Sequence, residues 1–361
     1  MQNLADRLHC ISATCTLPRM ATLPLIPATV IGSWSFPGWY AKLCDDAARN
    51  PSSYGADDLE EALRDAVRLA VADQFQAGAD LITDGEMQRV DFNLGFYDRL
   101  TGLRPLPQRR LHGPPAHDQR SRFECVAPLA APHGLGLVAE YQRLRTITQA
   151  PVKMPIPGPF TLAGCIQGGE VYRDRREITA ALVPIVNKEM KELVALGVDF
   201  IQIDEPSFAC HSDKPELFFD LLQRTVQEVA AKTSLHMCFG NYRGRAVGRR
   251  SYRPLFPHLA RAPVNQLALE FASREMAEIE LAREIRPPME LAVGLIDVKN
   301  TWIEPPELVA ERLRLTLQFV DPERVHATPD CGFSQTARHL ACQKLARLVE
   351  GVKMVRKELG K

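Results

Sequence analysis

Residues 177–206 read EITAALVPIVNKEMKELVALGVDFIQIDEP, and this stretch contains the unit that decides the fold. Segment 177–196 carries apolar side chains at the spacing of a helix, and 200–203 is a short apolar run typical of a buried strand. Asp204-Glu205-Pro206 follows the run directly, so polar groups begin where the strand ends. A helix followed by a strand that is apolar on both faces indicates a parallel sheet covered by helices.

The same alternation recurs along the chain. The apolar runs lie at 28–32, 80–83, 152–157, 200–203, 235–239, 266–271, 291–296 and 324–328. The helical patterns lie at 57–76, 177–196, 215–232, 274–285, 306–319 and 337–359. Parallel strands need crossover helices, so eight such runs predict a single α/β domain folded as a (β/α)8 TIM barrel. A doubly wound sheet is less favoured because no G-x-G-x-x-G motif follows the first run.

Two segments do not follow this repeat. Residues 1–25 show neither a strand nor a helix pattern, so we expect an N-terminal extension ahead of a catalytic barrel at 26–361. Residues 104–150 are rich in Pro, Arg, Gly and His, which predicts an insertion between the second and third strands. Within it, 122–130 alternates weakly and is compatible with a β-hairpin over one barrel mouth.

The composition excludes several classes of protein. The chain has 361 residues, of which 45% are hydrophobic and 24% charged, so it can bury a large core. Lys and Arg total 44, as do Asp and Glu, which argues against non-specific binding to nucleic acid or an anionic membrane. No apolar run reaches the roughly 20 residues that span a bilayer. The nine scattered cysteines are typical of reduced thiols, so we expect a cytoplasmic protein.

Ionisable and thiol side chains stand at the ends of the predicted strands, where a (β/α)8 barrel places its catalytic residues. His236 and Cys238 are two apart on the fifth strand and therefore share a face. Glu270 ends the sixth strand, and Cys331 follows the eighth. His-x-Cys alone is a weak signal, but N, S and O donors around one barrel mouth suit Zn²⁺. We therefore predict a zinc site formed by His236, Cys238, Glu270 and Cys331.

Zinc bound by thiolates would activate a thiol substrate. A free thiol has a pKa near ~8.5, and coordination to a metal removes its proton. The zinc thiolate is a nucleophile at neutral pH and can attack a carbon electrophile. Glu270, the hardest of the four ligands, is the one expected to yield its place to substrate sulfur. The residues thus indicate an enzyme that alkylates a small thiol.

The ordered series of strand ends resembles the C-terminal catalytic half of cobalamin-independent methionine synthase, over about residues 26–355. The resemblance is carried by Ile31-Gly32-Ser33, Asp84-Gly85-Glu86, Ile203-Asp204-Glu205-Pro206, His236-Met237-Cys238, Glu270 and Asp330-Cys331-Gly332. It implies a zinc-dependent methyltransferase that methylates homocysteine to methionine and uses the four predicted ligands. It also implies that Asp204, Glu86, Ile31 and Ser33 surround the amino-acid end of homocysteine.

Two departures from the family bear on the methyl donor. The full-length family enzyme carries a second barrel that helps to bind its folate donor, for which 361 residues leave no room. The family has Asp-x-His after the seventh strand, where this chain has Asp297-Val298-Lys299. We expect Asp297 and Asp204 to orient the reacting groups, and Lys299 to be a weaker acid because lysine titrates near ~10.4. The donor stays open and includes a corrinoid or a donor protein besides methyl-tetrahydrofolate.

The loop after the fifth strand, 240–250, carries four arginines just beyond the predicted zinc ligands. Arg243 or Arg245 could clamp an anionic group of the substrate. A solvated basic loop is the competing interpretation.

Three other functions stay open for this barrel. Short relatives of the family include epoxyalkane:coenzyme M transferases, which add a thiol to an epoxide through the same kind of zinc thiolate. A zinc hydrolase or lyase would instead activate a metal-bound water. A degenerate barrel would serve as a binding module and hold no metal.

Overall fold

The structure is a computed structural model that describes residues 23–89, 94–107, 121–210, 215–241 and 250–361. A six-stranded sheet, ordered β3-β5-β6-β7-β8-β9, is parallel between all neighbours. Its strands are β3 Met154–Pro157, β5 Phe200–Asp204, β6 Lys232–Met237, β7 Gln266–Leu269, β8 Glu290–Ile296 and β9 Val325–Pro329.

Three isolated parallel bridges close this sheet into a barrel. They join Ala28 to Ala327, Thr29 to Leu81, and Ile82 to Val152. The runs predicted at 28–32 and 80–83 therefore supply the first two barrel strands, reduced to two paired residues each. The predicted TIM barrel is confirmed.

The helices and a second sheet complete the fold. The helices are α1 Gly38–Arg49, α2 Ala56–Ala77, α3 Leu137–Ile147, α4 Pro159–Ala163, α5 Arg175–Ala195, α6 Pro206–Cys210, α7 Pro215–Thr225, α8 Phe256–Leu259, α9 Pro306–Thr316 and α10 Arg338–Glu358. Asp174 caps α5, since its carboxylate accepts the N–H of Glu177 at 3.0 Å. No helix in the described ranges is long and apolar enough to cross a membrane.

The predicted insertion contributes to a three-stranded sheet ordered β1-β2-β4. Its strands are β1 Thr101–Leu106, β2 Arg122–Ala130 and β4 Ile166–Gln167. β2 runs antiparallel to β1 and parallel to β4. Segment 122–130 is thus one strand of a hairpin whose connection, 108–120, lies outside the described residues. Residues 1–22 also lie outside them, so the N-terminal extension stays a prediction.

One predicted helix, 274–285, is wrong. The chain there forms two short 3-10 helices, Ala272–Arg274 and Ile279–Glu284, with Glu275, Met276 and Glu278 at positive φ between them. Left-handed residues interrupt a right-handed helix. The amphipathic spacing of this segment therefore serves packing on the core without a continuous helix.

Polar side chains on neighbouring barrel strands pair in rows, and these rows position the functional site. In the register of the parallel strands, Gln202, Ser234 and Gln266 pair in one row, and Asp204 and His236 pair in the row nearer the carboxyl ends. Most buried apolar side chains form one large cluster, and Ile31, Ala268 and Ala292 form a second, small cluster.

Candidate metal centre

Three potential metal ligands converge at the carboxyl ends of β6 and β9. The ligand atoms of His236, Cys238 and Cys331 all lie within 4.8 Å of one another, and the two Sγ atoms are 3.4 Å apart. His236 and Cys238 are buried, and Cys331 is partly exposed. The structure thus brings together three of the four predicted ligands.

His236 is presented as a metal ligand would be. Its Nδ1 donates to Asp204 Oδ1 at 2.7 Å, whereas Nε2 is buried and has no hydrogen-bond partner within the described residues. A carboxylate on one imidazole nitrogen commonly orients the other nitrogen toward a metal. The unpartnered Nε2 therefore fits a metal ion.

The charges of the group also favour a cation. The neighbouring Cys331 thiol, followed by burial, raises the pKa of Cys238 well above its usual range. Burial would lower the pKa of His236, but the charges of Cys238 and Asp204 raise it to about 10. Two thiolates at this separation repel each other unless a cation lies between them. A metal ion that prefers sulfur and nitrogen ligands fits these donors.

Glu270, the fourth predicted ligand, lies nearby with other partners. Its fully buried carboxylate forms an ion pair with Lys299 and accepts the Ser273 hydroxyl. Glu270 Oε2 accepts the backbone N–H of Phe239 at 3.1 Å. The carboxylate is not part of the group that shares the 4.8 Å limit.

The surroundings of Lys299 favour its protonated, positively charged form. Its side chain is 6% exposed. Burial would lower its pKa, but Glu270, and then Cys238 and Cys331, raise it above the usual range. An ammonium held this firmly is a poor proton donor at neutral pH. These surroundings disfavour the predicted acid role.

Asp297, predicted to orient the reacting groups, forms hydrogen bonds within the turn that follows β8. Its Oδ1 accepts the N–H of Lys299 at 2.7 Å, and its other oxygen accepts the amide of Asn300. Its backbone N–H donates to Glu304 Oε1 at 2.8 Å. Through these bonds Asp297 fixes the start of the segment that carries Lys299.

Tyr252 ties the ends of β6 and β7 together, a role that the sequence did not reveal. Its hydroxyl donates to the carbonyl of Met237 at 2.6 Å and accepts the N–H of Glu270 at 2.9 Å. The side chain is fully buried, and its ring packs against Phe239 and Phe271. This hydroxyl sets the distance between the ends of β6 and β7.

Asp330 performs a similar task for the chain after β7. Its Oδ1 accepts the N–H groups of Phe271 and Ala272 at 3.0 and 2.9 Å, and Oδ2 accepts that of Ser273 at 2.5 Å. Burial raises the pKa of Asp330 to about 7. By holding three consecutive N–H groups, Asp330 fixes the backbone beside Glu270 and diverts it from a regular helix.

A chain of hydrogen bonds continues from His236 into the barrel. Asp204 Oδ1 also accepts Gln202 Nε2 at 2.7 Å, and Gln202 Oε1 accepts the buried Lys153 ammonium at 2.6 Å. Gln202 Nε2 further donates to the carbonyl of Ile31 at 3.0 Å. Gln202 therefore links the histidine's carboxylate to the backbone predicted to bind substrate. Its position two residues before Asp204, on the same strand face, was the available sequence signal.

Glu86 and Ser33, the other predicted substrate residues, lie at the same mouth. Glu86 Oε1 is 3.1 Å from a guanidinium nitrogen of buried Arg89, and burial raises the pKa of Glu86 to about 8. A Cβ at Gly32 would lie 2.4 Å from Glu86 Oε1, so a larger residue there would displace the Glu86 carboxyl group. A Cβ at Gly332, next to Cys331, would lie 2.0 Å from Ser33 Oγ. Arg243 and Arg245 lie outside the described residues, so their clamp role stays a prediction.

A TIM barrel with a buried imidazole and two thiols at the carboxyl ends of its strands has the architecture of a barrel enzyme whose site could hold a metal ion. The chain belongs to the cobalamin-independent synthase catalytic domain family, whose model matches residues 26–354. It is similar to the methionine synthase of Thermococcus kodakarensis, with 32% identity over 94% of this chain and 96% of that protein. The methionine synthase of Sulfolobus acidocaldarius is 33% identical, over 94% of this chain and 95% of that protein.

A solved structure shares the whole architecture. It is a B12-independent methionine synthase from a Shewanella species in complex with selenomethionine. The match has a TM-score of 0.80 and 29% identity, and it covers 93% of this chain and 99% of that one. The family predicted from the strand ends is confirmed.

Proposed function

We propose that this protein transfers a methyl group to the sulfur of homocysteine, giving methionine, and that a zinc ion at His236, Cys238 and Cys331 takes part. The observation that carries the proposal is the buried imidazole and dithiol group with an unpartnered Nε2. The relatives named methionine synthase, which this chain matches over nearly their whole length, support the reaction. The Shewanella protein, bound to the selenium analogue of methionine, supports the amino-acid class of the substrate.

Zinc, when bound here, would act as a Lewis acid that keeps the substrate sulfur as a thiolate at neutral pH. Asp204 holds the imidazole of His236 in place through Nδ1. The carboxyl groups of Glu86 and Asp204 would accept hydrogen bonds from the substrate ammonium, whose positive charge would favour the ionised form of Glu86. The sulfur–carbon bond forms as the bond between the methyl carbon and its donor breaks. Asp297 contributes by fixing the turn that carries Lys299.

The candidate methyl donors are a methylfolate, a methylated corrinoid and a donor protein, and Arg243 and Arg245 are candidates to bind an anionic donor or substrate group. Cys44, Cys125, Cys165 and Cys342 are free thiols, which supports the cytoplasmic location predicted from the sequence.

The test is turnover by the zinc-loaded protein with homocysteine and a panel of methyl donors, with methionine measured by mass spectrometry. We expect methionine with at least one donor, and a loss of about 10–100-fold in kcat/KM for Asp204→Asn. The matched control is Asp199→Asn, which should retain activity. Asp199 directly precedes the first residue of β5, whereas Asp204 is its last residue.

Other outcomes would replace the proposal. No methionine with any donor would overturn it. Product from coenzyme M and an epoxide would identify the alternative thiol transferase. Hydrolysis that thiols inhibit would indicate a metal-bound water as the nucleophile.

A further inference from the structure

We propose that Lys299 holds the Glu270 carboxylate away from the His236, Cys238 and Cys331 group, and so keeps one metal position open for the substrate thiol. Lys299 is then a positioning residue that acts through Glu270. The inference deepens the proposed function and rests on it only for the identity of the thiol.

The first support is that Glu270 has a complete set of partners where it lies. The Lys299 ammonium forms an ion pair with Glu270 Oε1, and the Ser273 hydroxyl and the Phe239 N–H donate hydrogen bonds to the two carboxylate oxygens. The side chain has no exposed surface, so water cannot replace these donors. A buried carboxylate is stable only with such partners, and the place beside Lys299 is therefore a built position.

The second support is that Lys299 is aimed at Glu270 by rigid surroundings. The Asp297 side chain holds the Lys299 backbone, and the Lys299 side chain is 6% exposed. Asp330 is the competing carboxylate near this lysine, but its oxygens are occupied by three backbone N–H groups. Glu270 is consequently the carboxylate that Lys299 neutralises.

The consequence for the thiol follows from competition between two anions. Without Lys299, the buried Glu270 charge would have the metal ion as its nearest strong cation. A carboxylate on the metal would then occupy the position that the substrate thiolate needs. Lys299 lowers the affinity of the Glu270 carboxylate for the metal ion. It thereby raises the affinity of the metal ion for the substrate thiolate.

The experiment compares Lys299→Met and Lys299→Arg in the full chain. Zinc affinity is measured by competition with a chromophoric chelator, and homocysteine affinity by absorption of the cobalt-substituted protein. We expect Lys299→Met to bind zinc more tightly and homocysteine more weakly, each by about tenfold, the scale of changes around metal ligands. Lys299→Arg should behave like the wild type, because the cation is kept. Adding Glu270→Gln to Lys299→Met should restore thiol affinity.

Every other pattern overturns the proposal. Weaker zinc binding in Lys299→Met would indicate a purely structural role, and unchanged zinc and thiol affinities would indicate no role. Lost turnover with normal thiol affinity would restore Lys299 as an acid. The zinc comparison needs no substrate, so it decides the role of Lys299 even if homocysteine does not bind. That latter result would instead count against the proposed function.

Discussion

Tyr252→Phe tests whether the hydroxyl that joins β6 to β7 also maintains the metal centre. The substitution keeps the ring between Phe239 and Phe271 and removes only the oxygen. The carbonyl of Met237 loses a donor at 2.6 Å, and the N–H of Glu270 loses an acceptor at 2.9 Å. An unsatisfied buried polar group costs about 1–3 kcal/mol, so we expect about 2–4 kcal/mol less free energy of unfolding after relaxation.

The assay pairs urea unfolding with zinc affinity, and Tyr97→Phe is the control. The hydroxyl of buried Tyr97 donates to the Leu162 carbonyl at 2.7 Å, next to the second sheet. Its loss should destabilise the protein by about 1–3 kcal/mol without changing zinc affinity. Tyr252→Phe should lower zinc affinity by about tenfold. Equal zinc affinity in the two variants would refute the reasoning.

Three further predictions address the metal, the acid limb of stability and the substrate mouth. Cys331→Ser replaces a thiolate with a poor zinc ligand, so metal analysis should show loss of more than half of the zinc. Burial would raise the pKa of Glu290, but contact with His326 lowers it to about 2. The ionised Glu290 carboxylate therefore stabilises the fold fully at pH values above the usual pKa of glutamate, and this stabilisation is lost as the pH falls toward about 2. In urea unfolding, Glu290→Gln should lower the free energy of unfolding by about 1–3 kcal/mol at pH 7 and by less near pH 3. Gly332→Ala would place a methyl group 2.0 Å from Ser33 Oγ, so we expect a several-fold higher KM for homocysteine in steady-state assays.

Each prediction has a control outside the feature it tests. Cys342→Ser should keep its zinc, exposed Glu323→Gln should unfold like the wild type at both pH values, and Gly38→Ala, where a Cβ has open space, should keep its KM. Retention of most zinc by Cys331→Ser would contradict the ligand set. An equal loss at pH 7 and pH 3 would contradict the linkage to Glu290, and a normal KM in Gly332→Ala would remove Ser33 from the substrate mouth.

The barrel was predictable because its signals are local. The long amphipathic helix α5 and the buried strand β5 can be identified within 30 residues, and polar side chains mark the strand end. The first two strands were less defined, since each of them pairs through only two residues. The prediction of a helix at 274–285 was wrong because hydrophobic periodicity indicates which side chains face the core but does not indicate the sign of the backbone φ angles.

The site was predictable as far as strand ends determine it. His236, Cys238 and Cys331 could be placed together because all parallel strands open to one mouth. The pairing of Glu270 with Lys299 could not be predicted, because it depends on how the turn after β8 aims a flexible side chain. Tyr252 lies 15 residues beyond Met237 in sequence, and no local pattern connects them.

Zinc-edge X-ray absorption of the wild-type protein, recorded before and after homocysteine is added, tests the central claim most directly. The account predicts that the zinc is first bound by the two cysteine sulfurs together with lighter atoms, and that homocysteine adds one more sulfur to the coordination shell. A spectrum that does not change on adding homocysteine, at concentrations that saturate turnover, would contradict the account.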